Sequence, residues 1–100
     1  MKIFKFRLGP EFRQKIKMPY DCVIRSAGVQ GDDIFVWAEV DERNELFDYI
    51  FYVVPTGVEV SDFDLEGMRF LDTVIMKMST HDVVLAYDLV FHVYCIDDLI

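Results

Sequence analysis

Few side chains in this sequence are equipped for chemistry, and their spacing keeps them apart. His81 and His92 are the only imidazoles available for proton transfer near neutral pH. Cys22 and Cys95 lie in separate apolar stretches with no CxxC spacing, the pattern of buried small hydrophobes and not of a zinc site or redox pair. His92 and Cys95 are three positions apart, so on a strand they point to opposite faces and cannot share a metal. Adjacent acids occur at Asp32-Asp33, Asp41-Glu42 and Asp97-Asp98. Two carboxyls serve as an acid–base pair when they face each other across a cleft about 5–9 Å wide; acids side by side in turns and at a terminus read as solvated surface. A Gly-rich phosphate loop, HExxH, GxSxG and zinc-spaced Cys/His sets are all missing. The sequence therefore reads as a non-enzyme with no cofactor and no metal.

The residues suited to binding are of a different kind. Trp37 is the sole tryptophan and shares a strand face with Phe35 and Glu39, either as a packed core ring or as a platform on which a flat ligand stacks. Tyr94 is a second stacking candidate. Arg25 and the isolated Arg69, set in an acidic stretch, offer forked donors for phosphate or carboxylate. Thr56-Gly57 places a hydroxyl beside a permissive backbone, fit for a small ligand and equally fit for a turn. His92 shares a face with Val90 and Tyr94 and reads as a hydrogen-bonding residue, not a base. The candidate ligand set is thus Arg25, Trp37, Thr56, Gly57, Arg69, His92 and Tyr94.

Strand periodicity dominates the elements that must position them. Phe4, Phe6 and Leu8 fall on one face of a first strand, and Gly9-Pro10 breaks it. Arg13, Lys15 and Lys17 alternate through a second strand that Pro19 stops; a hairpin of the two would crowd five cations on one face. Residues 22–29 and 34–40 flank Gln30-Gly31-Asp32-Asp33, the strongest hairpin signal in the chain. Residues 46–54 are apolar on both faces except for Asp48, which predicts a strand covered on both sides, the second cover expected from another subunit. The acidic run 61–67 suggests one helical turn capped by Ser61 or Asp62. Residues 70–78 and 89–96 read as strands, while 79–88, with Val83-Val84-Leu85, fits a short helix or a loop. The fold class expected is mainly β: one domain over 1–100, a small antiparallel sandwich or barrel of about seven strands with at most one short helix.

Composition narrows the partners. The chain has 100 residues, 53% of them hydrophobic, and a formal net charge of −8, which excludes a disordered chain. No apolar run approaches the length of a membrane span, and the alternation of Met1–Arg7 is unlike an export signal; a cytoplasmic setting is expected. The charge is segregated. Residues 1–25 hold seven Lys and Arg against two acids, and residues 26–100 hold three against sixteen. The basic head either serves an anion or protects sheet edges, and the overall sign makes nucleic acid an improbable partner.

Six segments in this order resemble a family of small proteins encoded mostly by tailed bacteriophages: Ile3-Phe4-Lys5-Phe6, Ile16-Lys17-Met18-Pro19, Trp37-Ala38-Glu39-Val40-Asp41, Val53-Val54-Pro55-Thr56-Gly57, Leu71-Asp72-Thr73-Val74 and Leu89-Val90-Phe91-His92-Val93-Tyr94. The resemblance spans nearly the whole chain; it departs at Pro55, where the pattern has Gly, and at 79–88, where the pattern is shorter. It implies expression in the cytoplasm of an infected bacterium and an accessory, non-catalytic role. In size and in lack of catalytic machinery the chain is similar to phage proteins that sequester cyclic-nucleotide immune signals where subunits meet. The expectation is then a homo-oligomer holding a small anionic ligand such as a cyclic dinucleotide. The alternative is an inhibitor whose acidic body imitates nucleic-acid phosphates in the basic groove of a host nuclease or regulator.

Overall fold

A computed structural model describes residues 1–61, 64–79 and 86–96 of the protein. Seven strands follow one another: β1 (Lys2–Leu8), β2 (Arg13–Pro19), β3 (Val23–Gln30), β4 (Asp33–Val40), β5 (Leu46–Pro55), β6 (Met68–Ser79) and β7 (Ala86–Ile96). They form two antiparallel sheets, one ordered β1-β4-β3 and one ordered β2-β5-β7-β6. The mainly-β expectation holds, and no helix occurs among the described residues. The capped helical turn expected near 61–67 is replaced by turns: the Ser61 hydroxyl accepts the Asp64 amide at 3.1 Å as a cap would, but the chain continues into a turn closed by Met68 N–H on Leu65 C=O at 3.0 Å. His81, Asp62, Val83-Val84-Leu85 and Asp97-Asp98 lie outside the described residues.

Alternation in the sequence becomes the two faces of each sheet. Along β4, Ile34, Val36, Ala38 and Val40 are buried, while Asp33, Phe35, Trp37 and Glu39 face the other way and are half-exposed. From β1, Leu8 joins the inner set with Phe4 and Phe6 packed against it; from the second sheet come Met18, Tyr49, Phe51, Val53, Val74, Val93 and Cys95. The β3–β4 hairpin turns on Gly31-Asp32, with Gly31 at φ 60°; positive φ at the first central position is the requirement of a type II′ turn, whose twist matches the strands it joins.

β1 and β2 do not pair with each other. β1 lies beside β4 in one sheet and β2 beside β5 in the other, because Gly9-Pro10 turns the chain through a corner between sheets. Gln14 holds that corner, its side-chain amide accepting from Gly9 N–H at 2.8 Å and donating to the Gly9 and Glu11 carbonyls at 2.9 and 3.0 Å. The feared crowding of cations is thereby dispersed onto opposite sides of the molecule. Both basic strands are sheet edges, where lysine and arginine discourage pairing with foreign strands. Acids of the body answer them: Lys2–Glu42 at 2.6 Å, Arg7–Asp33 at 3.1 Å and Lys17–Asp48 at 3.0 Å.

At the opposite corner, β3 and β6 each skip a ladder step, at Arg25 and at Leu71. These bulges face one another. Across them the Arg69 guanidinium donates Nη2–H to the Ile24 carbonyl at 2.8 Å, and the Asp72 carboxylate accepts the Ala27 amide at 3.3 Å. A bulge leaves backbone groups without ladder partners, and these two side chains supply some of them. Arg69, expected on a ligand, is thus committed to joining the sheets.

From Tyr49 to Val54, β5 is buried or half-buried on both faces within a single chain, while Leu46, Phe47 and Asp48 are exposed. Tyr49, Phe51 and Val53 enter the core; Tyr52 and Val54 point outward and are still only 8% and 5% exposed. β5 ends at Pro55, level with Phe91 of β7, and β6 begins at Met68, level with Ile96. Residues 56–67 must therefore return about 17 Å along β7, at about 3.4 Å per strand residue. Described residues of the connection lie on the outer face. There Asp64, Glu66 and Gly67 share a groove with Arg13, Ile50, Tyr52, Met68 and Ile96.

Replacing Asp72 tests the β3–β6 corner. Asp72→Ala strips acceptors from the Ala27 and Thr73 amides, and urea unfolding is expected to show a loss of about 1–3 kcal/mol. A midpoint equal to that of the unaltered protein would show the corner contributes nothing.

Candidate functional site

The outer face of the β1-β4-β3 sheet gathers the aromatic and cationic side chains. Strand register sets Trp37 between Lys5 of β1 and Ser26 of β3. Gly28 lies diagonally next to it. A Cβ on Gly28 would meet Cζ3 of Trp37 at 3.1 Å and Cη2 at 3.5 Å, so the six-membered ring of the indole rests over bare backbone. Glycine inside a strand costs about 0.5–1 kcal/mol relative to alanine and often marks a close approach; here the approach is the indole. Phe35 follows at 6.4 Å between ring centroids, tilted by 48°. The Lys5 ammonium stands 4.6 Å from the Phe35 centroid while donating to Gln30 Oε1 at 2.8 Å. Exposed Ile3 and Val23 flank Glu39 at the end of the face.

Two arginines frame this surface. Arg25, thrown outward by the β3 bulge, donates Nε–H to Glu39 at 2.9 Å. Arg7 approaches Asp33 through its own Nε at 3.1 Å. Each pair engages the inner nitrogen, so the terminal Nη groups remain for a further acceptor. Glu39 beside it raises the Arg25 pKa above its ordinary value, and the guanidinium is a fixed cation.

The candidate ligand residues fall in three places. Arg25 and Trp37 share the face just described. Arg69 lies at the β3–β6 corner. Thr56, Gly57, His92 and Tyr94 belong to the outer side of the larger sheet, where Tyr94 meets Phe70 edge-on at 5.6 Å. Thr56-Gly57 is a turn: Val58 N–H donates to Pro55 C=O at 3.2 Å and Gly57 takes φ 90°, the type II arrangement that favours glycine at this position.

Thr56 also ends a chain of hydrogen bonds through His92. Nδ1 of the ring is 3.0 Å from the Thr73 hydroxyl and Nε2 is 2.9 Å from the Thr56 hydroxyl. The Thr56 hydroxyl donates to the Val90 carbonyl at 3.3 Å. Which ring nitrogen donates and which accepts follows from the tautomer. Both ring nitrogens are engaged, and the imidazole ties β6 and the start of the 56–67 connection to β7.

Neither Cys22 nor Tyr49 is activated as a nucleophile. Burial pushes the Cys22 thiol up, and burial pushes the Tyr49 phenol up likewise, with the Cys22 contact adding to it; both stay protonated near neutrality. Cys95 is buried on the core side of β7, opposite His92. Among the described residues, the carboxylate perturbed most is Asp41: Arg43 hydrogen bonds hold it down to about 2 in the β4–β5 loop, where they brace a turn.

Residues 1–98 match the model of a protein family described as a domain of unknown function, DUF7352. The chain belongs to that family. No curated protein and no solved structure matches it. The DUF7352 match takes in both surfaces, the Trp37 face and the Thr56–His92–Thr73 chain.

Sequence reasoning passed over Gly28, Phe35, Lys5 and Thr73 as site residues. Gly28 had a signal, a glycine within a β-branched run; pairing Lys5 with Trp37 or Thr73 with His92 needs the register. Gly28→Val would drive the indole off its seat while suiting the strand. Its expected signature is a red-shifted Trp37 emission with an unchanged far-ultraviolet dichroism spectrum. Emission identical to that of the glycine protein would show that the indole does not rest there.

Proposed function

We propose that this chain is a non-catalytic binding protein that withdraws a planar anionic ligand of the nucleotide class from solution. One observation supports the ligand class: an indole seated over Gly28 on an outer face that also presents Lys5, Arg7 and Arg25. A base stacked on one aromatic side chain gains about 1–3 kcal/mol, and a hydrogen bond to a charged group about 1.5–3 kcal/mol. Stacking recognises the ring, and the free Nη groups of Arg25 and Arg7 recognise phosphate. Such a site binds without any bond being made or broken.

The net charge of −8 opposes an approaching anion, but charges farther than about 8 Å are largely screened at physiological salt. The nearby cations then decide. The resemblance to phage proteins supplies the setting, an infected bacterial cytoplasm, and with it the ligand: a cyclic oligonucleotide immune signal, sequestered by an oligomer of this chain.

Trp37 is the only tryptophan, so its fluorescence reports directly on its own face. Titration with cyclic di- and trinucleotides is expected to quench it, with a thermal shift worth about 2.7 kcal/mol at a ligand concentration of 100 times Kd. Arg25→Gln is expected to weaken binding about tenfold, equivalent to about 1.4 kcal/mol. Lack of quenching and of thermal shift with every one of these nucleotides would contradict the proposal. So would a thermal shift that survives Trp37→Ala.

A further inference from the structure

β5 stops before its neighbours do. Its last rung is Pro55 opposite Phe91, and Thr56 caps it, with amide and hydroxyl both donating to the Val90 carbonyl at 3.0 and 3.3 Å. β6 and β7 run on as a two-stranded ribbon from Ile75 opposite Val90 to Ser79 opposite Ala86. In an antiparallel ladder the N–H and C=O of one residue point to the same side, and sides alternate along the strand. The Val90 carbonyl faces the line of β5, so the amides and carbonyls of Asp88 and Ala86 do too. They lie past the end of β5, along a strand edge that no described residue pairs with.

The edge is shaped to receive a strand. A groove of about 550 Å³ runs beside it, lined by Pro55, Thr56, Asp88, Leu89, Val90 and Phe91. Leu89 on one side of the ribbon and Ile75 on the other are 38% and 53% exposed. A lone two-stranded ribbon is marginal in water, and an unpaired edge with apolar flanks is a template for pairing.

We infer that β7 residues 86–88 are the edge at which a second copy of this chain adds its own β7, antiparallel and about a twofold axis. Two features favour a copy over a foreign strand. Antiparallel pairing of identical edges is self-complementary, each copy offering the donors and acceptors its twin needs. The ribbon is also locally neutral where it is described, Lys77 standing opposite Asp88, so a charged partner gains nothing there while two ribbons meet without repulsion. This inference rests on the proposed association and names its surface; it uses neither Trp37 nor a bound ligand.

Proline at position 88 separates the possibilities. The Asp88 amide has no partner in the β6–β7 ladder, so Asp88→Pro removes no bond of the ribbon while blocking the edge. Sedimentation of the full chain is expected to give a dimer for the unaltered protein and for Asp88→Asn. For Asp88→Pro it is expected to give a dimer weakened about tenfold or more, with unchanged circular dichroism. A monomer at every concentration for the unaltered protein would overturn both the association and this edge. A dimer that survives Asp88→Pro would overturn the edge alone. Should the proline variant unfold, amide exchange on the unaltered protein decides: Ala86 and Asp88 amides are expected to gain protection as concentration rises, and fast exchange at all concentrations overturns the inference.

Discussion

The double burial of β5 is the constraint on which the rest of the molecule depends. Its inner residues Tyr49, Phe51 and Val53 fill the space between the sheets, while Tyr52 and Val54 are sealed from behind. Burying one aliphatic or aromatic side chain is worth about 1.5–3 kcal/mol, so leaving Tyr52 and Val54 in water would forfeit a large part of the stability of so small a domain. On that outer side Phe12 meets Tyr52 edge-on, and Asp64, Glu66 and Gly67 of the β5–β6 connection line a groove with Tyr52. The hydrogen bonds at Thr56, His92 and Thr73 belong to this arrangement: they pin the departing chain where it leaves β5.

The outer side of the other sheet is less covered by the described residues. The β1-β4-β3 sheet keeps an outer face on which Phe35 and Trp37 are half-exposed among Lys5, Arg7 and Arg25. The bulge in β3 contributes twice. It turns Arg25 toward that face, and it frees the Ile24 carbonyl that Arg69 takes from the other side. Arg69 and Arg25, equivalent as sequence candidates, thereby acquire different tasks.

Much of the fold was legible because period-two burial is written residue by residue. Ile34, Val36, Ala38 and Val40 alternate so regularly that β4 and its inner face follow at once, and Gly31-Asp32 names its own turn. The two-sided character of 46–54 was equally plain, and Tyr49 to Val54 are covered on both sides within a single chain while Leu46 to Asp48 are exposed. Periodicity says that a face is dry and not what dries it. The separation of β1 from β2 was hidden for a related reason: Gly9-Pro10 signals a turn without telling a hairpin from a corner, and the deciding contact is the Gln14 side chain. Of the candidate site, Trp37 and Arg25 share a face and Thr56 meets His92. Their partners Gly28, Lys5 and Thr73 become visible only once strands are in register.

We propose that ligand meets the outer face of the β1-β4-β3 sheet and that the Thr56–His92–Thr73 chain is scaffolding. Amide and indole chemical shifts recorded during addition of a cyclic dinucleotide test it most directly. Perturbations are expected at the Trp37 indole N–H and at the amides of Gly28, Lys5 and Arg25, with Thr56, Thr73 and His92 unmoved. Perturbations centred on His92 and Thr56, with Trp37 silent, would contradict it.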